Sequence, residues 1–336
     1  PSPSLSHSVT APAAVAPTPY TSPSDTDPFS VSSAALNAAT AAGAAALAAS
    51  STPPSPSLAT TEAASAALAD PTPKLIPRLI HQTYRSASSL PPATARLMAS
   101  WRAANPGWTV RFWDDDACSA FVAAEFPEYE AAYAALPKDV ERSDFFRYLV
   151  ILRLGGLYAD IDTECRTDLD ALVHPADTLV VGWENVFPSP ARAAGRQYAR
   201  TAQVLQWVFA GAPGHPALRA VCDHIASHAN ATLSHVANLD TLERTGPGAW
   251  TDAVLAAAAQ HTPGGEGDAG RWPVRILPRV SFGAHPKGYD GVSAADPRVL
   301  VLHHFLGSWK KLGGWALGPG GLVAALGGGG GGGGAP

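Results

Sequence analysis

The stretch from Glu141 to Asp162 constrains this chain more than any other. Phe145, Tyr148, Leu149 and Leu152 recur at helical spacing and make one apolar stripe. Gly155-Gly156 follows at once, and glycine ends helices because it takes left-handed backbone at little cost. Leu157-Tyr158-Ala159 then reads as a short buried strand closed by Asp160-Ile161-Asp162. Helix, glycine stop, strand and paired aspartates together deliver two carboxylates to the carboxyl edge of a sheet, where α/β folds place their ligands. On an extended backbone, residues i and i+2 point to the same side. Asp160 and Asp162 are therefore expected to reach one hard cation, Mn²⁺ or Mg²⁺, whose open positions suit a nucleotide-sugar diphosphate. A bare D-x-D is common in solvated turns; the helix and glycines before it give this one its weight.

The remaining core alternates in the same way. Arg78–Thr83, Thr109–Trp113, Thr178–Trp183, Val274–Leu277 and Val299–His303 read as strands. Helices are expected over Arg96–Ala104, Ala117–Phe126 (stopped at Pro127) and His215–His228. This alternation predicts an α/β fold with a mostly parallel central sheet covered by helices. Asp114-Asp115-Asp116 is the densest acidic run, and its place between a strand and a helix predicts an N-cap rather than a second metal site.

Composition sets the outer limits. A net charge of −5 gives no electrostatic reason to bind nucleic acid. Residues 1–70 lack Lys and Arg and are dominated by Ala, Ser, Thr and Pro. Such a segment buries too little apolar area to offset chain entropy, so 1–73 is expected to be a disordered stalk or linker. Residues 319–336 are expected to be a flexible Gly-rich tail, leaving 74–318 as one catalytic domain. No run of about 20 strongly apolar residues occurs, so a membrane is expected only through an anchor upstream of Pro1. Cys118, Cys165 and Cys222 show no C-x-x-C spacing and are expected as small buried thiols.

Three segments carry a family resemblance: Ile76-Pro77-Arg78-Leu79-Ile80-His81-Gln82-Thr83, Ser143-Asp144-Phe145-Phe146-Arg147-Tyr148 and Gly155-Gly156-Leu157-Tyr158-Ala159-Asp160-Ile161-Asp162. They resemble glycosyltransferase family 32, the DXD sugar-binding motif family. The blocks Gln206–Pro216 and Gly246–Asp252 are similar to its outer-chain-initiating α-1,6-mannosyltransferases in particular. The resemblance implies a GT-A-type, Rossmann-like transferase of the Golgi lumen, with GDP-mannose as donor and retention of the α anomer. An oligosaccharide acceptor is implied first; a glycolipid acceptor of the inositol phosphoceramide type, or a UDP-sugar donor, remains an alternative. A non-catalytic glycan-binding module is the rival from another class, and a complete metal set argues against it.

The same resemblance distributes roles. Asp160 and Asp162 hold the metal, and His304, in His303-His304-Phe305-Leu306-Gly307, is expected as third ligand while His303 packs. His81, Gln82, Thr83, Asp144, Arg147, Ser308, Trp309 and Lys310 are expected on the donor side, with Asp144 binding sugar hydroxyls or orienting Arg147. Trp183, Glu184, Asn185, Trp250, Thr251 and Asp252 are acceptor-side candidates, because aromatic faces stack on sugar rings and Glu, Asn and Asp bind hydroxyls. Glu184 is the one carboxylate expected as a covalent nucleophile, should the reaction use one.

Overall fold

The computed structural model describes residues 74–235, 239–261, 271–288 and 291–306. The expected stalk (1–73) and tail (319–336) lie outside them. Nine strands are labelled in chain order: β1 (Leu79–Thr83), β2 (Thr109–Trp113), β3 (Gly156–Ala159), β4 (Thr163–Cys165), β5 (Leu179–Val186), β6 (Ala202–Val204), β7 (Val208–Gly211), β8 (Val274–Leu277) and β9 (Val301–His303). The longer helices are α1 (Pro92–Ala104), α2 (Asp115–Glu125), α3 (Pro127–Ala135), α4 (Asp139–Leu154), α5 (Pro216–His228) and α6 (Pro247–Gln260).

The central sheet runs β2-β1-β3-β7-β5-β6, with β8 also on β5. β1 is parallel to β2 and β3, and β8 is parallel to β5. β7 lies antiparallel between β3 and β5, and β6 antiparallel on β5. Five of the seven strands therefore point the same way, which is the mostly parallel, helix-covered α/β sheet expected. The antiparallel β7 in its centre was not legible as a strand. β4 and β9 form a separate antiparallel pair.

Side chains from one face of the sheet pack with α2 to α6, around Phe145, Phe146, Tyr148, Phe209 and Trp250. The opposite face packs Ile80, Leu157, Val208 and Phe282 against Trp101 of α1. Burial of α4 is nearly complete from Asp144 to Leu152, so its apolar stripe is wider than a surface helix requires. Pro127 starts α3 instead of only stopping α2, as suits proline in a first helical turn.

Gly155 and Gly156 end α4 with φ of 64° and 100°. The strain reading holds, but space matters equally. A Cβ on Gly156 would stand 2.5 Å from Leu79 O, and one on Gly155 would stand 2.6 Å from Pro213 Cδ. Only glycine lets β3 start this close to β1. Asp114 caps α2 by accepting from Ala117 N at 2.9 Å, as expected. All three cysteines are free and buried. Among the described residues, no helix is long and apolar enough to cross a membrane.

Candidate metal and sugar-nucleotide site

β3 ends at Ala159, and the chain turns at once. Asp160 O accepts from Thr163 N at 3.1 Å and from Thr163 Oγ1 at 2.6 Å. The two aspartates are thus gathered by a turn, not by the extended geometry expected. Asp160 N donates to Trp207 O at 2.8 Å, which fixes the turn to the entrance of β7. β4 then pairs with β9 in the register Thr163↔His303, bringing the late histidines over the turn.

That register decides which histidine joins the aspartates. His303 Nε2 lies 3.1 Å from Asp162 Oδ1. Asp160, Asp162 and His303 each offer a ligand atom, all within 4.8 Å of one another. His304 faces away, with Nε2 2.9 Å from Glu164 Oε2. The expectation for this pair is corrected: adjacent strand residues do face opposite ways, but His303 takes the inward position. Its ring stands 4.8 Å from Trp207 and 3.9 Å from Phe305. Asp162 Oδ2 accepts from Leu306 N at 2.8 Å. Burial works against the charge of Asp162, but the His303 ring and the Leu306 amide outweigh it and hold the carboxyl at about 2.

Behind the aspartates lies a buried polar network built from α4. Arg147 reaches Asp144 at 2.8 Å and Asp160 at 3.5 Å, donates to Gln206 O at 3.1 Å and sits 4.9 Å over the Tyr158 ring. Asp144 also accepts from Gln206 Nε2 at 3.1 Å and Thr245 Oγ1 at 3.0 Å. Tyr158 donates to Asp160 Oδ1 at 2.9 Å, and its hydroxyl pairs with Thr83 Oγ1 at 3.2 Å. Desolvation lifts the Asp144 carboxyl to about 7, against the pull of Arg147 and Thr245. Desolvation also raises Asp160, again opposed by Arg147. Asp144 is 2% exposed and paired with Arg147.

The other donor-side candidates divide. His81 is buried, and both its ring nitrogens are used inside the protein. Trp113 Nε1 donates to His81 Nδ1 at 3.1 Å, so Nε2 carries the hydrogen and donates to Gly155 O at 3.0 Å. This ring ties β1, β2 and the glycine stop together, and burial lowers its pKa to about 4. Gln82 is fully buried, and neither amide atom has a hydrogen-bond partner among the described residues. Thr83 stays half-buried beside Tyr158. Ser308, Trp309 and Lys310 lie outside the described residues.

The acceptor-side candidates Trp250 and Thr251 move into the interior, and Asp252 is paired within the protein. Trp250 is fully buried, stacked 5.0 Å from Tyr148, and donates to Leu205 O at 3.1 Å. Thr251 is also buried; it donates to Pro247 O at 2.6 Å and accepts from Val204 N at 2.9 Å. Asp252 is held by Arg200, with Nε to Oδ1 at 2.7 Å. The physical reason is that Gly246-Pro247 starts α6 and is no binding loop. Trp183 packs in the core as well. Glu184 and Asn185, at the end of β5, stay partly exposed. Desolvation raises Glu184 to about 7, with Gln203, Arg279 and His303 pulling it down.

Gln206, Trp207, Thr245 and Phe305 were missed as site residues. The Gln206-Trp207 pair had a signal, since it opens one of the blocks that carry the resemblance. Thr245 and Phe305 had none.

The site is thus an α/β sheet with a D-x-D turn and a histidine at its carboxyl edge. Residues 91–179 match the family of the glycosyltransferase sugar-binding region containing DXD motif. It is 32% identical over 260 residues to the initiation-specific α-1,6-mannosyltransferase of Schizosaccharomyces pombe, covering 70% of this chain and 64% of that protein. The protein of the same name from Candida albicans is 27% identical over 285 residues, covering 71% of this chain and 74% of that one. Among solved structures, the PaToxG glycosyltransferase aligns with a TM-score of 0.40 at 18% identity, over 53% of this chain and 69% of that one.

Proposed function

We propose that the chain is a metal-dependent retaining hexosyltransferase that moves mannose from GDP-mannose to a mannose-containing glycan, forming an α-1,6 linkage. The observation that carries this reading is the convergence of Asp160, Asp162 and His303 within 4.8 Å at the sheet's carboxyl edge. Support for mannose and the linkage comes from the activity for which the yeast relatives are named.

Two carboxylates and an imidazole on one side of a site fit Mn²⁺ or Mg²⁺ and leave positions for diphosphate oxygens. When bound, such an ion neutralises negative charge on the departing diphosphate. The protein's own groups prepare the site. Tyr158 and Arg147 fix Asp160, while His303 and the Leu306 amide fix Asp162. Arg147 holds a positive charge behind the aspartates in a water-poor setting, where charge acts over longer range. Retention follows from attack by the acceptor hydroxyl on the face the diphosphate leaves, with a diphosphate oxygen taking the proton. We place this catalysis in the Golgi lumen.

The test is a donor screen on the purified chain. GDP-mannose, GDP-fucose, UDP-glucose and UDP-galactose are offered with a mannose oligosaccharide, with and without Mn²⁺. Mannose transfer that stops on chelation supports the reading; transfer from a UDP-sugar alone, or undiminished transfer in chelator, overturns it.

A further inference from the structure

We propose that Glu184 is the acceptor-binding carboxylate of this site, taking a hydroxyl of the acceptor sugar on its outward oxygen. The inference rests on the transferase reading and adds a residue and a substrate side to it.

Four observations converge. Firstly, Glu184 sits near the carboxyl end of β5, which runs in the same direction as β3, so it shares an edge with Asp160. One strand, β7, separates β5 from β3. At about 4.8 Å per strand the lateral offset is roughly 10 Å, the breadth of one to two sugar rings. A donor anchored at Asp160 and Asp162 therefore leaves β5 facing the far side of the transferred sugar.

Secondly, the β5–β6 register slips between Trp183 and Asn185, so Glu184 is the bulged residue. Bulges re-aim a side chain, and they recur beside active sites. Its carboxylate interacts electrostatically with His303 of β9 and with Arg279, so Glu184 stands on the face that carries β4 and β9.

Thirdly, one carboxylate oxygen is held by a fixed donor, while Arg279 and His303 attract the group electrostatically. Gln203 Nε2 donates to Glu184 Oε2 at 2.8 Å. The amide of Gln203 cannot flip, because its Oε1 already accepts from Ala199 N at 3.0 Å and Arg200 N at 3.2 Å. Glu184 Oε1 has no hydrogen-bond partner among the described residues.

Fourthly, the residues once expected to bind the acceptor are occupied elsewhere. Trp250 and Thr251 are buried, and Asp252 is paired with Arg200. Glu184, Asn185 and Asp252 are what remains partly exposed of that set; Asp252 is taken by Arg200, and Asn185 Oδ1 accepts from Val186 N at 3.0 Å.

The locked amide makes Glu184→Gln an informative variant. Gln203 offers only a donor, so a glutamine at 184 must turn its oxygen toward it. Its NH₂ then faces the acceptor, and a hydrogen-bond acceptor becomes a donor with little change in volume. The experiment compares wild type, Glu184→Gln and Glu184→Asp with GDP-mannose and a mannose oligosaccharide at pH 8, where the carboxylate is ionised. Three quantities are read: KM for the oligosaccharide, calorimetric binding of GDP with Mn²⁺, and hydrolysis of GDP-mannose without acceptor. Thermal unfolding checks that each variant is folded. The proposal expects Glu184→Gln to raise the oligosaccharide KM tenfold or more while GDP binding and donor hydrolysis stay within twofold of wild type. Glu184→Asp, which keeps the charge but withdraws it by one methylene, falls between. Unchanged oligosaccharide KM in Glu184→Gln overturns the proposal. So does loss of donor hydrolysis with a mannosyl adduct on wild-type Glu184, which marks a covalent nucleophile. If wild type shows neither hydrolysis nor transfer with any donor, the transferase reading itself has failed.

Discussion

Exchanging the roles of two adjacent histidines tests the site most sharply. In His303→Ala the cluster loses its only imidazole, and Asp162 Oδ1 loses its partner at 3.1 Å. Removing a group that merely supports a metal ligand costs 10- to 100-fold in affinity, so losing a ligand costs at least that. A 30-fold weakening of Mn²⁺ is the working figure, which is about 2 kcal/mol. The ring's contacts with Trp207 and Phe305 also go, at about 1–2 kcal/mol of fold stability. His304→Ala breaks only the pair with Glu164, whose side chains are 17% and 24% exposed. A partly solvated pair of this kind is worth about 0.5 kcal/mol and nothing in metal affinity. Calorimetric Mn²⁺ titration with GDP present separates the two variants, and metal-free thermal unfolding controls for the fold. Weakened Mn²⁺ in His304→Ala with normal binding in His303→Ala refutes the β4–β9 register on which the site is built. Equal binding in wild type and His303→Ala leaves an ion held by aspartates and phosphate alone, and refutes the three-residue set.

Three further outcomes follow from the same geometry. Gly156→Ala places a Cβ against Leu79 O in a φ +100° conformation that L residues rarely adopt, so urea unfolding is expected to show a loss of about 3 kcal/mol or more; a loss under about 1 kcal/mol contradicts the close-approach argument. Arg147→Met strands Asp144 and Asp160 without their shared cation and is expected to cost about 3–5 kcal/mol. Asp144→Asn keeps oxygen for Gln206 and Arg147, loses no obligatory charge and is expected to change stability far less; equal losses in the two variants refute a charge-driven network. His81 titrates at 6.5 when unfolded and at about 4 when folded, so it contributes stability in full above pH 6.5 that is lost as pH falls toward 4. That loss approaches about 3 kcal/mol, and Asp144 and Glu184, both raised, act in the opposite direction. Ring ¹⁵N spectra isolate the histidine: at pH 5.5 His81 is expected neutral with hydrogen on Nε2, and a charged ring at that pH sinks the assignment.

Features that depend on short-range physics could be read from the residues alone. Helical periodicity placed α4, two glycines without room for a Cβ marked its end, and Asp114 capped α2, because each signal lies within a few residues of its effect. The D-x-D pair was legible for the same reason. Tertiary structure alone decided which histidine faces it. One residue of slip in β9 exchanges His303 for His304, and that register comes from pairing with β4, more than a hundred residues away. It also decided that Trp250 and Thr251 belong to the core. Gly246-Pro247 suits a turn and a helix start equally, and only packing of α6 against Tyr148 and Phe209 selects the helix. β7 escaped because Val208–Gly211 is a short apolar run without alternation, and its antiparallel direction is set by neighbours on both sides. Local chemistry fixed the pieces; long-range register fixed which of their side chains meet.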